Sequence, residues 1–94
     1  MMLIAILTYT KSLDAVDRLV PPHRVFLKEL FDEQKLLLAG RLNPRTGGVI
    51  IAKNISRTEF EQILQRDPLH QVSEYKILEI TPVFFDECLQ WTVE

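Results

Sequence analysis

A histidine and an aspartate occupy positions where helical periodicity calls for apolar residues. In Pro21-Pro22-His23-Arg24-Val25-Phe26-Leu27-Lys28-Glu29-Leu30-Phe31 the apolar stripe is Phe26, Leu27, Leu30 and Phe31, and His23 extends it. In the segment Ser56 to Asp67 the stripe is Phe60, Ile63 and Leu64; Asp67 follows Ile63 by four residues and Leu64 by three, so it also points inward. A buried imidazole or carboxylate left unpaired is costly, so each needs a partner or a cavity. Together they fit proton transfer. Imidazole titrates near neutrality, and a carboxylate on one ring nitrogen fixes the tautomer and stabilises the imidazolium that forms. On this reading His23 opens its helix, where the dipole opposes protonation and Asp67 offsets that effect.

Each of these residues also has a plainer reading. Asp67 before Pro68 is a good N-cap with proline at the first helical position, starting a turn through Pro68-Leu69-His70-Gln71. His23 also reads as a satisfied core histidine. His70 is either an exposed turn residue or a ligand contact. Arg45, beside Gly47-Gly48, either clamps a carboxylate or sits in a solvated hairpin loop; Arg41 and Arg18 are weaker versions of the same clamp. Tyr9 and Tyr75 end strands and either offer hydroxyls to a pocket or pack. Cys88 has no activating neighbour in sequence, which argues against a cysteine nucleophile. Two histidines and no clustered acids argue against a metal site, and no motif calls for a cofactor.

The elements that must position these side chains alternate along the chain. Met2 to Tyr9 is a near-continuous apolar run, a first strand. Ser12 to Leu19 is polar with helical spacing, and Pro21-Pro22 bends the chain into a helix proper that reaches about Gln34. Leu36 to Gly40 is a second strand, Leu42 to Gly47 is turn chemistry, and Gly48 to Ala52 is a third strand. Ser56 with Glu59 forms a capping box at the second helix, and Ile55 with Phe60 a hydrophobic staple. Tyr75 to Thr81 is the fourth strand, followed by a tail from Pro82 to Glu94.

Ninety-four residues make one domain, 1–94, with a core of about 1–82 and a tail of 83–94. A formal charge of -2 gives no electrostatic footprint for nucleic acid. The single cysteine forms no internal disulfide, as in a reducing compartment. The apolar start, Met1 to Leu7, lacks a basic region and a cleavage site, so it reads as a buried strand, and no segment has membrane-spanning length. The cytoplasm is the expected location.

The order βαββαβ is that of the α+β, ferredoxin-like split βαβ fold: a four-stranded antiparallel sheet with both helices on one face. The other face should then be polar, yet Leu3-Ile4-Ala5-Ile6-Leu7 and Val49-Ile50-Ile51-Ala52 are apolar on both faces. A second copy packing sheet to sheet is the economical cover, sealed in part by Val83-Phe84-Phe85 and Trp91.

Three blocks carry a family resemblance: His23…Leu27…Leu36-Leu37-Leu38-Ala39-Gly40, the loop Pro44-Arg45-Thr46-Gly47-Gly48-Val49-Ile50, and Asp67-Pro68-Leu69-His70. In order and spacing the chain resembles the YciI-like (YCII-related) family from about Met1 to Pro82. The resemblance implies a homodimeric α/β barrel of ferredoxin-like subunits. It also implies an active-site pair, a histidine of the first helix and an aspartate of an Asp-Pro step, which fall on His23 and Asp67. One branch of the family is similar to lactone-processing dehalogenases and muconolactone isomerases. This chain departs from the commoner pattern in having Arg41 after Gly40 and Leu69 where phenylalanine is usual.

Two classes of function follow. One is a cofactor-independent enzyme that isomerises, eliminates from or hydrolyses a lactone or small carboxylic acid, with catalytic His23 and Asp67. Its anionic or carbonyl-containing ligand would be held by Arg45, Arg41, Tyr9 and His70. The other is a non-catalytic ligand-binding or regulatory barrel. RNA recognition by the sheet would need exposed aromatics on the central strands, and Leu3 to Leu7 and Val49 to Ala52 supply none.

Overall fold

The computed structural model describes residues 1–92, with the Trp91 and Thr92 side chains outside that description. The chain runs β1 (Met2–Tyr9), α1 (Leu13–Asp32), β2 (Leu36–Arg41), β3 (Gly47–Ala52), α2 (Arg57–Arg66), a 3₁₀ turn (Pro68–Val72), β4 (Ser73–Ile80) and a second 3₁₀ turn (Glu87–Thr92). The strands form one antiparallel sheet in the order β2-β3-β1-β4, the ferredoxin-like arrangement expected from the element order. Three strands are longer than their side-chain patterns predict. Backbone pairing of Tyr9 with Ser73 starts β4 two residues early, and pairing of Arg41 with Gly48 lengthens the β2–β3 hairpin at its turn.

Register assigns the two faces. Ala5 pairs with Ile50 and Ile77, and these point with Leu3 and Leu7 toward the helices. There they meet Val16 and Leu30 of α1, Phe60, Ile63 and Leu64 of α2, and Leu69 and Val72 of the 3₁₀ turn in one buried core. Ile4, Ile6, Val49, Ile51, Leu38 and Leu78 occupy the opposite face. Neither α1 nor α2 lies over them, and Leu38 is 50% exposed.

α1 corrects one expectation. Pro21 and Pro22 do not bend the chain between two segments; they lie inside one continuous helix of 20 residues. Each proline removes a donor, leaving the carbonyls of Asp17 and Arg18 without their i+4 partners. All four residues are on the exposed side of the helix, so the freed carbonyls are not sealed in the core. The inward stripe runs straight through the prolines as Val16, Leu19, Val20, His23, Phe26, Leu27 and Leu30, and its burial holds the helix together. Ser12 caps the start, accepting from the Ala15 N–H at 3.3 Å.

α2 uses half of its capping box. Ser56 accepts from the Glu59 N–H at 3.1 Å, but the Glu59 carboxylate turns to Lys35 Nζ at 2.8 Å, tying α2 to the start of β2. Among the described residues, no helix is long and apolar enough to cross a membrane.

The crossing of β3 and β1 requires glycine at one point. A Cβ on Gly47 would sit 1.8 Å from the Leu7 carbonyl oxygen, whereas one on Gly40 would meet nothing within 4 Å. Gly47→Ala is therefore expected to cost about 3 kcal/mol or more, and Gly40→Ala within roughly 0.5 kcal/mol of neutral, by chemical denaturation. Equal midpoints for the two variants would contradict the close approach.

Candidate active site

Asp67 owes its position to Pro68. The residue before a proline is disfavoured in the helical region, and Asp67 adopts an extended conformation that ends α2. The same residue caps the following 3₁₀ turn, its Oδ1 accepting from the Leu69 N–H at 2.9 Å. The carboxylate is buried, and two side chains complete its coordination. His23 Nδ1 lies 2.6 Å from Oδ1, and the Tyr75 hydroxyl donates to Oδ2 at 3.0 Å. The cap reading and the pairing reading of Asp67 are thus both met by one side chain.

His23 reaches Asp67 from the middle of α1, because that helix begins at Leu13. The expectation that His23 opens a helix is corrected, and with it the dipole argument, since the macrodipole acts only within the first and last turns. The charge in direct contact with the ring is that of Asp67. An ionised carboxylate only accepts, so in the neutral ring the proton is assigned to Nδ1 and Nε2 keeps its lone pair.

His23 also lines a cavity of about 270 Å³ between α1 and the β2–β3 end of the sheet. Leu7, Val20, Leu27 and Leu69 make its apolar wall, and Tyr9, Arg24, Arg41 and Arg45 supply its polar groups. Asp67 stands behind His23, away from the cavity surface. Arg45 is already engaged: its guanidinium bonds Asp17 of α1 and clips the hairpin loop onto the helix. This bond holds the Asp17 carboxyl below its ordinary range, and Asp17, then Tyr9, strengthen the Arg45 charge against desolvation. Arg45 Nε is buried and has no hydrogen-bond partner among the described residues.

The remaining candidates separate from the cavity. His70 is exposed and stacks on Tyr75, ring centroids 5.6 Å apart and planes at 11°, and it does not line the cavity. Arg18 lies on the exposed side of α1 and does not line it either. Cys88 is exposed on the tail; desolvation and the neighbouring Asp86 raise its thiol pKa, the opposite of an activated nucleophile. Among the described residues, no three His, Cys, Asp or Glu side chains gather as a metal cluster.

Two contributors were not singled out by sequence reasoning, and a third, Tyr75, was left between two readings. Arg24 adjoins His23, and its helical neighbours hinted only at an exposed face. Asp17 meets Arg45 across 28 residues, with no local signal to link them. Tyr75 read equally as strand packing, and only the register that places it beside Leu7 brings its hydroxyl to Asp67.

Residues 2–84 match the YCII-related domain family, and the chain belongs to that family. Among solved structures, it is similar to 5-chloro-2-hydroxyhydroquinone dehydrochlorinase (TftG) from Burkholderia phenoliruptrix AC1100, in complex with 2,5-dihydroxybenzoquinone. The TM-score is 0.72 over 85% of this chain and 93% of that one, at 16% identity, a likeness of fold. No curated protein matches the chain.

The Tyr75 environment sets a pH dependence. Burial first, then the adjacent Asp67 charge, pushes its phenol pKa far above the ordinary value near 10. The folded protein therefore keeps a proton that the unfolded chain loses above about pH 10. The stabilisation is present below that pH and declines as pH rises. Of the two tyrosines, Tyr75 is expected to ionise only as the protein unfolds, and Tyr75→Phe should flatten the alkaline fall in stability. Ultraviolet titration beside thermal melts checks this; ionisation of Tyr75 in the intact fold would contradict it.

Proposed function

We propose that the chain is an acid–base enzyme for a small, carbonyl-containing anion, with His23 as general base and Asp67 as its orienting partner. One observation carries this reading: the 2.6 Å His23–Asp67 bond behind the wall of a cavity that His23 lines. Nε2 takes a proton from carbon beside a carbonyl, Asp67 stabilises the imidazolium, and the released electron pair moves onto the carbonyl oxygen. Arg24 and Arg41 form no ion pair among the described residues, which leaves both guanidiniums to meet that oxygen. Tyr9 borders the same space.

From the enolate, return of the proton to another atom gives isomerisation, and loss of a leaving group gives elimination. The same base acting on water would hydrolyse a lactone. The dehydrochlorinase similarity supports elimination on a single-ring or short-chain substrate. The cavity volume agrees, lying just under the ~300–1,000 Å³ usual for drug-sized ligands. The proton transfer needs no cofactor. The exposed free Cys88 fits a reducing compartment, and we place the protein in the cytoplasm.

Turnover of small lactones, halogenated carboxylic acids and hydroxyquinones tests the reading. His23→Ala should lower kcat by roughly 10²–10⁴-fold. Asp67→Asn should lower the pH at which His23 titrates by NMR, since it removes the charge that favours imidazolium. Ligand binding without turnover would instead make the chain a binding module, and an unmoved His23 titration would remove the coupling.

We further propose that a second copy of the chain covers the open sheet face. Ile4, Ile6, Val49 and Ile51 form a contiguous apolar centre there, with Leu38 and Ile80 exposed at its margins. Light scattering at micromolar concentration should give twice the chain mass. Ile4→Glu should return it to one chain; a wild-type monomer would defeat the proposal. Ile50, by contrast, is 3% exposed within the subunit core, so a charge there should unfold the protein.

A further inference from the structure

Asp67 presents two oxygens with unequal surroundings. Oδ1 receives both the Leu69 N–H and His23 Nδ1, whereas Oδ2 receives the Tyr75 hydroxyl. Without that hydroxyl, Oδ2 would be a charged, buried acceptor with no partner among these contacts, and rotation about the carboxylate would be less restrained.

We infer that Tyr75 is the positioning residue of the His23–Asp67 pair: its hydroxyl fixes the carboxylate's rotation and draws off part of its charge. The inference rests on the acid–base reading above. Two features make Tyr75 suited to the role. Its backbone is held opposite Leu7 in the β1–β4 ladder, and its ring stacks on His70. His70 is in turn tied back to Asp67, its N–H donating to the Asp67 carbonyl at 2.9 Å. Asp67, His70 and Tyr75 thus close a bracket in which ring, turn and carboxylate hold one another. His70 acts within it as packing for Tyr75, outside the cavity lining.

The charge consequence has a definite sign. A neutral donor on Oδ2 competes with the imidazolium for the carboxylate's negative charge. The phenol's strong preference for its protonated form keeps that donor in place through the neutral range.

Tyr75→Phe is the test, because it keeps the ring and its stack and removes only the hydroxyl. His23 should then titrate roughly 0.5–1 pH unit higher by NMR, the shift equivalent to one ordinary hydrogen bond. The other polar groups facing the His23 cavity are Arg24 on its own helix, Arg41 and Arg45 from the hairpin side and Tyr9 from β1. The substitution leaves them unchanged. With a turned-over substrate, kcat should fall about 3- to 10-fold at unchanged KM, and the acidic limb of the rate profile should move up with the titration.

Placing 3,5-difluorotyrosine at position 75 gives a stronger donor of nearly the same shape, and should lower the His23 midpoint. This second measurement remains if the phenylalanine variant does not fold. A His23 midpoint that stays or falls in Tyr75→Phe, or stays or rises with the fluorinated residue, overturns the inference. Asp67→Asn separates the two levels. If it moves His23 while the Tyr75 changes do not, the pair stands and the role of Tyr75 falls; if it also leaves His23 unmoved, the pair itself falls.

Discussion

One buried carboxylate joins the parts of this protein. Asp67 ends α2, caps the 3₁₀ turn, receives His23 from α1 and receives Tyr75 from β4. Removing a carboxylate from water carries a large desolvation cost, which is met only when donors surround the charge. Here a backbone N–H, a phenol and an imidazole do so. Since these come from three separate segments, the interaction demands that helix, turn and strand arrive together. The local cap and the long-range pair are therefore two aspects of one requirement.

The cavity follows from that arrangement. His23 is held from behind, so its ring stands at the wall of an apolar space instead of filling it. Arg41 and Arg45 stand on the opposite, hairpin side and Arg24 beside His23 on α1, and the three differ in their freedom. Arg45 is bound to Asp17 and anchors the loop; Arg41 lies on the β2 edge, and Arg24 on the exposed side of α1. The division between an anchored cation and freer ones gives the site both a fixed boundary and groups able to meet an anion.

The sheet carries a second constraint of opposite kind. Its helix face is closed by a continuous core, while its other face presents isoleucine and valine side chains with neither α1 nor α2 over them. Polar residues at those positions would have suited a free face. The proposed site occupies the helix side near one end of the sheet, so the open face can be covered without filling the cavity's apolar wall.

Periodicity in the sequence determined the element order, the antiparallel α+β class and the inward direction of His23 and Asp67, because each depends on side chains only a few residues apart. Ser56 and Pro68 likewise mark the ends of α2 by local chemistry. Tertiary structure decided where local rules competed. Pro21 and Pro22 read as a bend, yet the buried stripe from Val16 to Leu30 carries α1 through them and moves His23 to mid-helix. Glu59 reads as the return half of a capping box, yet Lys35 claims its carboxylate. His23 and Asp67 are 44 residues apart, and Tyr75 could be read as a packing residue until strand register set its hydroxyl on Oδ2. A side chain's direction is written in its neighbours along the chain; the partner it meets is decided by how distant segments pack.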